Sequence, residues 1–162
     1  MHANIAEYRG TVEEDDSLTS LLARVYVQGG FTDESVAARA FAPSEVKRRG
    51  KMLLATAPTG SVVGMIICGA PDNPSRQVAE SDEAEMQLLA VDPSARGQGL
   101  GRALCMAFEN KAVAMGYRKA VLSTQVTMRS AHRIYEDLGY QRNHQRDWVR
   151  ANRSFIVYEK SL

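Results

Sequence analysis

The succession of strand and helix signals along these 162 residues predicts an α/β fold of three layers built on a mixed β-sheet. Three observations lead there. Apolar, β-leaning runs recur at residues 52–57, 61–68, 86–91 and 119–124. Apolar residues at helical spacing follow the last two runs, first Leu100, Leu104, Phe108 and Met115, then Ala131, Ile134, Tyr135 and Leu138. A glycine-rich turn, Arg96-Gly97-Gln98-Gly99-Leu100-Gly101, joins the strand at 86–91 to the first of those helices.

Each element has a local reason. Residues 5–10 read as a short strand. Asp15-Asp16-Ser17 supplies side-chain acceptors for a helix start, and Leu18, Leu21, Leu22 and Val25 form the stripe that this helix buries. Gly29-Gly30 stops it. Residues 33–41 read as a second, shorter helix closed by Pro43, which lacks the N–H that a continuing helix needs. The basic run Lys47-Arg48-Arg49 reads as a solvated turn, because no aromatic residue is interleaved as a nucleic-acid surface requires. Pro58-Thr59-Gly60 separates 52–57 from 61–68 as a hairpin turn, and the polar residues 69–82 form a loop. The helix opened by Leu100 stops at Gly116. Residues 119–124 follow as a strand, 129–138 as a helix with Gly139 as its C′ residue, and 140–146 and 154–159 as closing strands. There is no internal repeat or low-complexity tract, and the length fits one domain over residues 1–162.

Composition narrows the partners. Twenty lysines and arginines against 19 aspartates and glutamates leave a formal charge of +1, which gives no global attraction to nucleic acid or to an anionic membrane. Any anion site must be local. Cys68 and Cys105 lie in apolar surroundings with no Cys-x-x-Cys pair, and His2, His132 and His144 show no ligand spacing, so free thiols and no metal are expected. No apolar run has the length of a membrane helix and no signal-peptide core opens the sequence, so a cytoplasmic protein is expected.

The glycine turn provides such a local site. The first turn of a helix leaves N–H groups without intrahelical acceptors and carries the positive end of the macrodipole. Glycines at 97, 99 and 101 keep side chains away from those groups, and Arg96 adds a charged donor at the rim, so the turn reads as an anion cradle. Two familiar phosphate motifs do not fit it. A P-loop needs Lys-Ser/Thr after its last glycine, where Gly101 is followed by Arg102-Ala103. In a dinucleotide fingerprint counted from Gly97 or Gly99, the third glycine falls on Arg102 or Leu104.

Arg-x-x-Gly-x-Gly at a strand-to-helix junction, Leu89-Ala90-Val91 in the strand before it, and Tyr135-Glu136-Asp137-Leu138-Gly139-Tyr140 in a later helix together resemble the Gcn5-related N-acetyltransferases, the GNAT family. The resemblance is strong from about residue 86 to 140. It implies a three-layer α/β/α fold with a mixed, splayed central β-sheet, in which the pantetheine arm of acetyl-CoA lies like an extra strand where two strands part. The co-substrate acetyl-CoA would then be held by Leu89, Ala90 and Val91, by Arg96, Gly97, Gln98, Gly99, Leu100, Gly101 and Arg102 around the diphosphate, and by Met128 and Ala131. Met128 departs from the asparagine that the family often places there and would instead pack on the arm. Arg129 and Arg133 are within reach of the adenosine phosphates or are solvated.

The same resemblance implies transfer of an acetyl group to a primary amine by direct attack in a ternary complex, by a monomer or a homodimer. Tyr135 matches the family tyrosine that protonates the departing CoA thiolate, and an ordinary phenol pKa of about 10 keeps it protonated at neutral pH. Glu85 stands where many members carry a glutamate that acts as base. Strand alternation places it on the face of Gln87, Leu89 and Val91, provided that no bulge intervenes. The residues alone equally allow Glu85 to continue the acidic cluster Glu80, Asp82, Glu83. A small-molecule or amino-acid acceptor is expected, with a protein N-terminus or lysine, or a non-catalytic acyl-CoA-binding module, as alternatives. Residues 17–45 and 147–153 would shape the acceptor site, with Asp147 to attract an amine and Trp148 to stack on it.

Overall fold

In the computed structural model, which describes residues 2–162, β1 (Asn4–Glu7) leads into α1 (Val12–Leu22). That helix starts before Asp15, because Thr11 and Glu14 form a capping box: Thr11 Oγ1 accepts from the Glu14 N–H at 3.1 Å, and the Glu14 carboxylate accepts from the Thr11 N–H at 3.4 Å. The expected caps Asp15, Asp16 and Ser17 therefore lie inside the helix. Its stripe of Leu18, Leu21, Leu22 and Val25 is buried as expected, the last in a wider π-helical turn, Ala23–Val27. After α2 (Glu34–Ala40), Pro43 opens a further short helix, α3 (Pro43–Val46), instead of only closing the one before it. At a helix's first position the missing N–H has no intrahelical acceptor to lose. The basic run is a 3-10 turn, Lys47–Arg49, with Lys47 and Arg48 exposed and Arg49 half-buried.

The hairpin forms from β2 (Lys51–Thr56) and β3 (Val62–Gly69). β4 (Glu83–Val91) begins three residues before the apolar run, and α4 (Leu100–Ala114) ends with Met115 38% exposed rather than buried. β5 (Lys119–Gln125) and α5 (Arg129–Asp137) follow. The strand expected at 140–146 shortens to β6 (Gln141–Arg142), because the Asn143 side chain accepts from the Gln145 N–H at 3.2 Å and caps a 3-10 turn. An additional strand, β7 (Trp148–Arg150), then turns through Ala151 and Asn152, both at positive φ, onto β8 (Arg153–Ser161).

The eight strands make one sheet in the order β1-β2-β3-β4-β5-β8-β6, with β7 also on β8. β4–β5 is its one parallel pair among the described residues. Alternation sorts the core into two faces. Leu53 and Ala55 of β2 pack with Leu104, Cys105 and Phe108 of α4 and with Tyr135 of α5, while Met52 and Leu54 pack with Leu21, Leu22 and Val25.

Below the site, the parallel pair is locked by charge. Glu83, 1% exposed, pairs both carboxylate oxygens with Arg146 at 2.9 and 2.7 Å and also meets Lys119 at 3.3 Å. Glu159 binds the same two cations. Burial alone would raise the Glu83 pKa, but the Arg146 hydrogen bonds and the other donors outweigh it and lower it to about 2. Glu83 is thus a buried hub and not part of a solvated acidic strand end.

Candidate active site

The site begins where β4 and β5 separate. Their ladder covers only Glu83 to Met86 against Lys119 to Leu122. On its other edge β4 carries a bulge: Ile67 pairs with Gln87 and Met65 with Ala90, so Leu88 and Leu89 together oppose Ile66, and Leu88 takes φ 49°. The extra residue reverses the alternation. Ala84 and Met86 face α4 before the bulge, whereas Leu89 and Val91 do so after it and Leu88 and Ala90 face α1. Glu85 and Gln87 therefore lie on the face opposite Leu89 and Val91, which corrects the uninterrupted alternation expected from the sequence.

Beyond the bulge the main chain of β4 serves two edges. The Asp92 N–H donates to Val63 on β3, so the main-chain groups of Leu89 and Val91 turn to the edge that β5 has left. Side chains supply donors to their carbonyls: Tyr26 Oη–H to Leu89 at 3.1 Å, and Arg96 Nε–H to Val91 at 3.3 Å.

A cleft of about 600 Å³ opens along this edge. Leu89, Val91, Arg96, Gly97, Gly99, Leu100, Gly101 and Arg102 line one side, and Met128, Arg129 and Ala131 at the start of α5 line the other. Two expected contacts are placed elsewhere: Ala90 is buried in the core beside α1, and Gln98 is exposed on the turn, outside the cleft wall. The Arg133 side chain is also exposed and outside the wall. Gly99 caps α4 at φ 77° with no side-chain acceptor, and the first helical bond runs from the Ala103 N–H to Gly99 at 3.0 Å. The N–H groups of Leu100, Gly101 and Arg102 precede that bond and open toward the cleft end of the helix. Gly101 has a packing reason, since a Cβ there would stand 2.8 Å from Ile134 Cδ1 of α5. The turn is tied to the first helical segment by an Arg24–Asp92 ion pair at 2.6 Å. Three arginines and no carboxylate line the cleft, which suits a polyanion with a long uncharged arm.

A second cavity of about 160 Å³ continues from the first across Leu89 and Met128, which belong to both walls. Met86, Leu122 and Tyr135 form part of its lining. The Tyr135 side chain packs edge-on to Tyr140 with ring centroids 6.0 Å apart, and its hydroxyl has no hydrogen-bond partner among the described residues. Burial raises its pKa well above the ordinary phenol value.

Glu85 lines neither cavity. It is 1% exposed, and its carboxylate accepts from the N–H groups of Gln77, Val78 and Ala79 at 2.8 Å each and from Gln87 Nε2 at 2.6 Å. Gln87, which does line the smaller cavity, also donates to Ser75 O at 2.9 Å, so its amide orientation is fixed and Oε1 is left buried without a donor. Of the two acceptor candidates in the last loop, Asp147 is paired with Arg142 at 2.8 Å, and Trp148 stacks on Phe155 at 4.1 Å. Sequence reasoning missed Tyr26, Arg49 and Gln87 on the smaller cavity. Only the inward turn of Arg49, whose Nη2 donates to Ala40 O at 2.8 Å, separates it from its solvated neighbours Lys47 and Arg48.

Comparison with known proteins adds the lineage. The profile of the Acetyltransferase (GNAT) family matches residues 16–140. An uncharacterized N-acetyltransferase, YjgM, from Escherichia coli is 33% identical over 63 residues, 39% of this chain and 38% of that protein. The N-acetylaspartate synthetase of Homo sapiens is 32% identical over 82 residues, 51% of this chain and 25% of that protein. The matches thus span well under half of these relatives' own length. Among solved structures, an aminoglycoside 6'-N-acetyltransferase complexed with coenzyme A superposes with a TM-score of 0.72 at 19% identity, covering 98% of this chain and 96% of that one.

Proposed function

The chain belongs to the GNAT family of acetyltransferases, and from that premise we propose that it transfers an acetyl group from acetyl-CoA to the primary amine of a small molecule or amino acid, by direct attack in a ternary complex. One observation carries this reading: the arginine-lined cleft and the smaller, tyrosine-bearing cavity meet at Leu89 and Met128, where β4 has parted from β5. A diphosphate held at the start of α4 and an arm laid along Leu89 and Val91 would bring a thioester to that junction. The relatives named N-acetylaspartate synthetase are named for an acetylated amino acid, which favours an acceptor of that size.

Each chemical need has a group. We assign Tyr135 as the acid for the departing thiolate, since its hydroxyl has no partner among the described residues and burial keeps it protonated. A main-chain N–H near Val91, on the edge facing the gap, is assigned to the carbonyl oxygen as negative charge develops there. Glu85 is assigned to positioning: its four donors fix the loop through Ala79 and the amide of Gln87, and the acceptor amine arrives already neutral from solvent. No cysteine intermediate is invoked, because desolvation raises the thiols of Cys68 and Cys105 to about 11 and about 12, far from the thiolate that attack requires. The test is thiol release from acetyl-CoA in the presence of an amine panel. Turnover with at least one amine is expected; silence across the panel with CoA still bound would leave a non-catalytic binding module instead.

A further inference from the structure

We propose, building on the acetyltransferase reading, that the acceptor is an amine bearing a carboxylate, in its simplest form a free amino acid, and that Arg49 pairs with that carboxylate inside the smaller cavity. Arg49 carries the one formal charge on that wall among the described residues. Its fork is set but mostly unused. Nη2 donates to Ala40 O at 2.8 Å, which fixes the plane, while Nη1 and Nε have no protein acceptor among the described residues. The nearby carboxylate of Glu45 attracts Arg49 without an ion-pair contact and lies 3.7 Å from Arg48. Tyr26 and Phe41, with ring centroids 5.1 Å apart, are also on this wall. Desolvation pulls the Arg49 pKa below its ordinary value, the signature of a cation that gains from a counter-ion.

The remaining polar wall is neutral: Thr32, Gln77, Gln87, Ser123 and Gln125 offer hydroxyls and amides. A polycationic amine would find no carboxylate there and would meet Arg49 as a like charge. A compact amino acid whose amine is already neutral finds a bidentate partner for its carboxylate, and amide oxygens accept from its amine N–H groups.

The test compares matched pairs on the full chain: methionine with methioninamide, and glycine with glycinamide, each with acetyl-CoA and thiol release as readout. The amides have the less basic amine, so chemistry alone favours them. The expected result is a kcat/KM for the acids at least about tenfold above the amides, arising in KM. Arg49→Gln should bring that ratio to one or below, where the less basic amine of the amides decides, and Arg49→Lys, which keeps the charge and loses the fork, should retain part of it. Equal rates for acid and amide in the unaltered protein, or a ratio untouched by R49Q, would overturn the proposal while leaving the acetyltransferase reading intact. If no amine releases thiol, that reading fails, and melting of the CoA-loaded protein decides the carboxylate site. A rise in Tm with methionine, absent with methioninamide and lost in R49Q, supports it, and equal responses sink it.

Discussion

The two halves of β4 are held in different ways. From Glu83 to Gln87 the strand is paired with β5 through Met86 and with β3 from Glu85 onward, and its two acidic side chains are wholly engaged, Glu83 by Arg146 and Lys119 and Glu85 by four N–H donors. From Leu88 to Val91 the same strand has lost its parallel neighbour, and side chains meet its carbonyls. Rigidity has been concentrated immediately below an opening. A gap between strands holds its width only if the ladder beneath it cannot fray, and four residue pairs would be a weak clamp without the charged hub at its base.

The largest break in that contrast comes from removing the hub. Glu83→Ala leaves Arg146 and Lys119 in a partly buried site with Glu159 as their remaining carboxylate, and should cost about 3–5 kcal/mol, lowering Tm by roughly 10 °C in a thermal melt. The same residue sets an acid limit. Because its folded pKa of about 2 lies below the ordinary 4.5, its contribution is complete above about 4.5 and is lost as pH falls from there toward 2. Stability measured across that window should therefore fall steeply in the unaltered protein and less steeply in Glu83→Gln.

The next effect belongs to the upper half. Tyr135→Phe should lower kcat by about 10²-fold, or about 2.7 kcal/mol of barrier, while acetyl-CoA affinity measured by calorimetry stays within about twofold. Equal loss of both would reduce Tyr135 to a packing residue. Gly101→Ala should cost about 1–3 kcal/mol by pressing Ile134 and spreading α4 from α5, with weaker CoA binding as the second readout. Ile134→Val removes the Cδ1 atom that the new methyl meets, so the double variant should recover most of the loss. Smallest is Gly99→Ala, about 1 kcal/mol from forcing an alanine to φ 77°; nothing stands within 4 Å of its Cβ, so strain and not collision is what a melt would record.

How much of this was legible follows the range of each interaction. The glycine turn, the stripe of α1 and the apolar face of α5 are local patterns, and the sequence displays them. The start of α1 was misplaced because Asp15 and Ser17 are good caps in isolation, whereas Thr11 and Glu14 cap each other reciprocally. Arg49 was indistinguishable from Lys47 and Arg48 because whether a basic side chain turns inward depends on Ala40, Tyr26 and Phe41, brought together by the fold. Glu85 was the hardest residue to place. Alternation counts residues and cannot see that one of them, Leu88, is surplus to the ladder.

That surplus residue makes β4 a strand with two grammars. Upstream of Leu88, even-numbered positions belong to the α4 side; downstream, odd-numbered ones do. Deleting Leu88 would restore a uniform ladder, with Gln87, Leu89 and Ala90 opposite Ile67, Ile66 and Met65; Glu85 would keep its nest of amides and Leu89 and Val91 would stay on the α4 side, but the local bend that accompanies the bulge would be lost. The surplus residue thus sets the course of the strand and not the faces of its two halves.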